Sequence, residues 1–232
     1  MRTIGVLGGM GPEATWDLCA RITANTPATT DQEHPPVLCY SLPQIPPRTD
    51  AIAGRGPSPL PMMIQAGRVL VAGGAELLVM PCNTAHHYHD ALSAALPVPF
   101  LHMIREALAA TQQTLPEVRR VGLLASAGTV GTGIYHRPFQ EAGVEVLAPS
   151  VDDQRDLVTA AIYGADGIKA GHKDAPRARL VQAATRLIEA GAEAIIAGCT
   201  ELPLVLTPGL LPVPLIDPTE VLARAAVREA LQ

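Results

Sequence analysis

A chain of 232 residues is long enough for one large or two small domains, each burying its own core. Hydrophobic content of 48% with only 3% aromatic residues predicts an aliphatic core of Ala, Leu, Val and Ile. A net charge of −5 without any basic run speaks against nucleic-acid or anionic-membrane partners, and no apolar run approaches the roughly 20 residues of a membrane span.

Pro12, Glu13 and Asp17 interrupt the N-terminal apolar stretch too early for a signal peptide, so a cytoplasmic protein with reduced thiols is expected. Its four cysteines include no Cys-x-x-Cys pair and no zinc-type Cys/His spacing, and are not read as a disulfide framework.

In chain order, residues 3–7 read as a buried strand, Gly8-Gly9-Met10-Gly11 as a tight turn, and Pro12 as the first position of a helix reaching about Thr26. A second strand at 37–40 leads into a Pro-rich stretch, Leu42 to Pro61, expected to be a functional or disordered loop. A helix over 62–72 ends at Gly73-Gly74, and a strand at 76–80 delivers Cys82. A helix over 85–96 and a short strand at 98–101 follow, and 102–118 carries no assignment. The pattern restarts with a strand at 119–125, the turn Ser126-Ala127-Gly128-Thr129, a helix over 135–142 and a strand at 144–147. Residues 152–173 read as helix, loop and the start of another helix. A helix over 176–190 is capped by Gly191, the strand at 194–197 delivers Cys199, and a strand at 214–216 precedes a closing helix over 218–231. Alternating strands and helices imply parallel sheets.

The two halves overlay. Gly5-Val6-Leu7 matches Gly122-Leu123-Leu124, Ala75-Glu76 matches Ala192-Glu193, and Cys82 matches Cys199, each at an offset of 117. Leu96-Pro97-Val98-Pro99 matches Leu211-Pro212-Val213-Pro214 at 115. A shared strand–helix rhythm does not explain a cysteine at the same place in both halves. The expected architecture is an α/β chain of two pseudo-symmetric lobes, each a parallel sheet flanked by helices, with the active site between them. Residues 1–101 plus 216–232 form the N-terminal lobe and 102–215 the C-terminal lobe. Ligands of such sheets bind beyond the carboxyl ends of the strands, where both cysteines sit.

Two opposed thiols suit the removal of a proton from one face of a carbon and its return to the other. Predicted helix starts after each cysteine are expected to favour the thiolate. Asn83-Thr84 and Thr200-Glu201 supply donors beside each thiol that suit a substrate carboxylate. Ser126 and Thr129 of the second-half turn are placed in the same substrate-binding set. Pyridoxal phosphate needs a lysine, and neither Lys169 nor Lys173 has a phosphate cradle nearby, so no cofactor is expected.

Together, Gly8-Gly9-Met10-Gly11-Pro12, Pro43-Gln44-Ile45-Pro46 with Arg48, Pro81-Cys82-Asn83-Thr84-Ala85-His86 and Gly198-Cys199-Thr200-Glu201 resemble the aspartate/glutamate racemase family, aspartate racemase in particular. The resemblance spans essentially the whole chain. It implies a cofactor-free racemase acting on aspartate, with glutamate or a broader range left open, often a homodimer, with Cys82 and Cys199 as the two bases. It implies Arg48 and Lys169 as cationic anchors, and Met10, Asn83, Thr84 and Thr200 lining the site. Glutamate racemases carry an Asp-Ser-Gly turn and a His after Cys-Thr, whereas this chain has Gly-Gly-Met-Gly and Glu201. A related cysteine enzyme, such as a maleate isomerase or hydantoin racemase, and a non-catalytic binding protein remain as alternatives.

Gly9-x-Gly11-x-x-Ala14 fits a dinucleotide fingerprint, but the second strand ends Tyr40-Ser41 without the acidic residue that a ribose requires. His86, His89 and Asp90 share a helical face and are read as a polar surface rather than metal ligands, with His86 left as a residue able to tune Cys82. Cys19 and Cys39 are read as small buried apolar residues. Arg55 rivals Arg48, and the loop context favours Arg48.

Overall fold

The computed structural model describes residues 1–232, in two units: Met1–Glu106 with Thr219–Gln232, and Ala107–Pro218. In the first, β1 (Ile4–Gly8), β2 (Val37–Ser41) and β3 (Leu77–Val79) form a parallel sheet of order β2-β1-β3. Every residue of β1 is buried, as a strand covered on both faces requires, and helices Pro12–Asn25 and Leu60–Ala72 lie against it. Phe100 adds a single parallel rung to Leu78, so the strand expected at 98–101 shrinks to one bridge. No helix is long and apolar enough to cross a membrane.

In the second unit, β4 (Arg120–Ala125), β5 (Glu145–Leu147), β6 (Ala194–Gly198) and β7 (Leu215–Ile216) form a parallel sheet of order β5-β4-β6-β7. Its core packs Leu124, Val158, Ile162, Leu180, Leu187 and Ile195.

The duplication holds at the level of single contacts. A Cβ on Gly5 would lie 2.6 Å from Leu78 and 3.4 Å from Leu70, and one on Gly122 would lie 2.6 Å from Ile195 and 3.1 Å from Leu187. The three positions of each set are related by 117 residues, so both halves need glycine where a helix and the next strand crowd the central strand. Gly74 and Gly191, also matched, end their helices with φ of 100° and 101°. The rungs Leu78–Phe100 and Ile195–Leu215 match at the offsets of 117 and 115.

Four further readings change. The stretch from Leu42 to Pro61 is not structureless: it holds the helix Arg48–Ile52, and the next helix starts at Leu60. The unassigned region contains the helix Met103–Thr114, whose apolar positions Met103, Ile104 and Ala107 are buried. The helix expected over 85–96 divides into a 3-10 segment, Thr84–Tyr88, and an α segment, His89–Ala95. Cys19 and Cys39 are half-buried rather than core residues. Their thiols hydrogen-bond each other from helix Pro12–Asn25 and β2, which lowers the Cys19 pKa and raises that of Cys39.

Candidate active site

In the first unit, Cys82 stands three residues beyond β3, 6% exposed, in an apolar cluster with Met10, Ile45 and Ala85. The glycine turn brings Met10 there. Gly9 takes φ of +94°, and a Cβ on it would lie 2.3 Å from the Leu42 backbone, so the turn lies directly against the start of the Pro-rich segment. Thr15 fastens the turn, accepting from Gly9 N at 2.8 Å and donating to Gly11 O at 2.8 Å.

Arg48 opens the helix Arg48–Ile52 and points back at this turn. Its guanidinium donates to Ile45 O at 3.2 Å, Pro46 O at 3.1 Å and Met10 O at 3.5 Å. Its Nε is buried with no partner, and its only acceptors are backbone carbonyls, which leave its charge uncompensated. Arg55 instead pairs with Asp50 at 3.2 Å on the surface. Tyr88, which carried no signal in the sequence, lies in the field of Arg48. Burial raises its phenol pKa and the Arg48 charge opposes that rise.

His86 holds the backbone that carries Cys82. Its Nδ1 lies 2.9 Å from Cys82 O and its Nε2 accepts from Met103 N at 3.1 Å. An amide N–H only donates and a carbonyl only accepts, so the ring is the neutral tautomer with its proton on Nδ1. Burial, then the charges of His102 and His89, pushes its pKa down to about 3. His89 is likewise buried, with Nε2 bound to Phe100 O at 3.0 Å, and only Asp90 faces solvent. The histidines therefore form an internal cluster rather than the polar surface expected. His86 acts on Cys82 through its backbone, and its bond to Cys82 O draws the following turn into 3-10 geometry.

In the second unit, Cys199 directly follows β6 and is 8% exposed. Its Sγ donates to Glu201 Oε2 at 2.9 Å, and Thr200 Oγ1 lies 3.4 Å from the same oxygen. Glu201, 4% exposed, is paired through Oε1 with Lys169, whose ammonium lies 5.8 Å from the Tyr163 ring centroid. Lys169 reaches this position from a 3-10 turn, Ile168–Ala170, ended by Gly171 at φ of +90°. Burial, the Glu201 charge and the hydrogen bond to Glu201 together push the Cys199 pKa well above the usual thiol range, with Lys169 opposing them. The register Ala125–Gly198 sets Ser126 on the strand end beside Cys199. Ser126 caps the helix Ala127–Thr132, accepting from Thr129 N at 3.2 Å, and lies 3.1 Å from Thr129 Oγ1. Tyr135, also unforeseen, is fully buried, and its pKa is raised by burial and by the charges of Asp217 and Cys199.

The structure thus gathers Met10, Arg48 and Cys82, with Asn83 and Thr84 in the turn that follows, in one unit. It gathers Lys169, Cys199, Thr200 and Glu201, with Ser126 and Thr129 on the adjoining strand end, in the other. The helix starts expected to favour the thiolates are 3-10 segments of five and three residues, Thr84–Tyr88 and Leu202–Leu204, too short to exert a helix field. The environment of each thiol comes from side chains instead.

A model of the Asp/Glu/Hydantoin racemase family matches residues 7–226. The broad specificity amino-acid racemase RacX of Bacillus subtilis is 28% identical over 97% of this chain and 96% of its own length. A glutamate racemase of Cupriavidus pinatubonensis is 34% identical over 60% of this chain and 49% of its own. Among solved structures, aspartate racemase from Picrophilus torridus superposes with a TM-score of 0.83 at 25% identity, covering 99% of this chain and 94% of that one. An aspartate racemase homologue from Pyrococcus horikoshii reaches 0.79 at 26% identity and covers all of both chains.

Proposed function

Because the chain belongs to the Asp/Glu/Hydantoin racemase family, we propose that it is a cofactor-independent amino-acid racemase of the aspartate type, with Cys82 and Cys199 as its acid–base pair. The observation that carries this reading is the repeated placement of a thiol just past the carboxyl end of the matched strands β3 and β6. Cys82 serves as thiolate when Cys199 is thiol, and the roles exchange with the enantiomer. The thiolate takes the Cα proton, the electron pair left on Cα delocalises into the substrate carboxylate, and the other thiol returns a proton to the opposite face. Arg48 is the carboxylate anchor, since its charge has no acidic partner and its Nε has no acceptor.

A broader substrate range is the second reading, favoured by the similarity to RacX along nearly its full length. Both are tested by following deuterium exchange at Cα in heavy water across a panel of amino acids, starting from each enantiomer. Exchange of aspartate from both enantiomers is expected, with racemisation largely lost in Cys82→Ala and Cys199→Ala alike. Full activity in either variant would overturn the two-base assignment. A covalent thiol adduct with maleate, without exchange, would point to an isomerase, and ligand-induced thermal stabilisation without turnover to a binding protein.

A further inference from the structure

We infer that Glu201, held in place by Lys169, is a positioning residue that keeps a proton on Cys199, so that the free enzyme rests with Cys199 as the acid. The inference deepens the racemase reading and rests on it. The sequence placed Glu201 among the substrate contacts, but both of its carboxylate oxygens are engaged within the chain. Oε2 accepts from Cys199 Sγ at 2.9 Å and Oε1 pairs with Lys169. A buried carboxylate needs a compensating charge, and Lys169 supplies it. With a negative charge in contact with its sulfur, ionised Cys199 would be the second anion of a touching pair, which disfavours thiolate and favours S–H donating to the carboxylate.

The other groups around the pair act in the same direction or weakly against it. Tyr135 and Asp217 add no positive charge on the sulfur's side, and Lys169 is spent on Oε1. The matched position in the first half, 117 residues earlier, is Thr84, a neutral hydroxyl. Cys82 therefore has no counterpart of this clamp, and the duplicated thiols are made unequal by one residue. For the enantiomer that needs Cys199 as base, the proton on sulfur has to leave before turnover. Glu201, the acceptor already bonded to it, relays that proton to water while Cys82 takes one up from water, so the two thiols exchange roles with no net change in charge.

The test is the pH dependence of alkylation by iodoacetamide, read separately at Cys82 and Cys199 by peptide mass spectrometry, in the wild type, Glu201→Gln and Glu201→Ala. Both variants remove the charge, and a variant that loses cooperative melting is replaced by the other. The Cys199 midpoint is expected to fall by about one pH unit or more, equivalent to about tenfold more thiolate at a given pH below it, while Cys82 keeps its profile. An unchanged or raised Cys199 midpoint, or an equal shift at Cys82, overturns the assignment. Alkylation needs no turnover, so that failure leaves the racemase reading intact, whereas absence of Cα exchange overturns the reading whatever the alkylation profile.

Discussion

The surroundings of Cys82 and Cys199 share a backbone plan and differ in charge. Each thiol follows a buried parallel strand, each central strand carries the same packing glycine, and each preceding helix ends on a left-handed glycine. On the Cys82 side, His86 is neutral and spent on backbone groups, and Arg48, against the Met10 turn, is bonded only to carbonyls. Around Cys199 a lysine and a glutamate have already paired, and the glutamate accepts from the thiol. The difference teaches that duplication retains what packing demands and leaves the charges free to diverge. One half carries a cation bonded only to backbone carbonyls, and the other carries a carboxylate that accepts from the thiol.

The largest effect expected is from the thiols themselves. Cys82→Ala and Cys199→Ala should each lower kcat/KM for aspartate by about 10²–10⁴-fold, the usual weight of a positioned acid or base, measured by circular dichroism of racemisation. A large loss in one variant only would break the equivalence of the two halves. Next, Arg48→Met removes an anchor whose charge-assisted hydrogen bonds are worth about 1.5–3 kcal/mol, so kcat/KM should drop by roughly 10–150-fold, while Arg55→Met leaves it unchanged. Equal effects at the two arginines would remove Arg48 from the site.

The packing side of the comparison is sharpened by Gly122→Ala, whose Cβ would sit 2.6 Å from Ile195 Cδ1. Urea unfolding should report a loss of about 1–3 kcal/mol, and Gly5→Ala should cost a similar amount because Leu78 approaches as closely. Strongly unequal costs would mean that the two cores relax differently. The smallest effect is a slope with pH. The His86 pKa is lowered from 6.5 to about 3, so above 6.5 folded and unfolded chains are both neutral there and its contribution is intact. As pH falls through 6.5 towards 3, the unfolded chain binds a proton that the folded chain refuses, and stability declines by up to about 1.4 kcal/mol per pH unit. His86→Gln should flatten that acid slope by about one proton, and an unchanged slope would mean that the ring is not held neutral.

Much of this plan was legible in the chain as written. Runs such as Ile4–Gly8 and Ala194–Gly198 are local patterns with one physical solution, a strand covered on both faces, and the 117-residue echo aligns them without reference to coordinates. The helix Met103–Thr114 was legible too: Met103, Ile104 and Ala107 recur at helical spacing, and that signal alone suffices to find it. The nature of the turns after the cysteines was not, because His86 reaches forward to Met103 N and back to Cys82 O, and periodicity does not register such bonds.

By itself, then, the sequence determined that two parallel α/β halves each carry a cysteine at a strand end, with Arg48 on the neighbouring segment, since these follow from residue order and short-range pattern. Only the tertiary structure decided what each thiol meets. Lys169 and Glu201 are 32 residues apart and Met10 and Arg48 are 38 apart. A side-chain contact across such a separation is created by the packing of elements. It is that packing, not the cysteine motifs, that brings Lys169 onto Glu201 and Arg48 onto the turn at Met10.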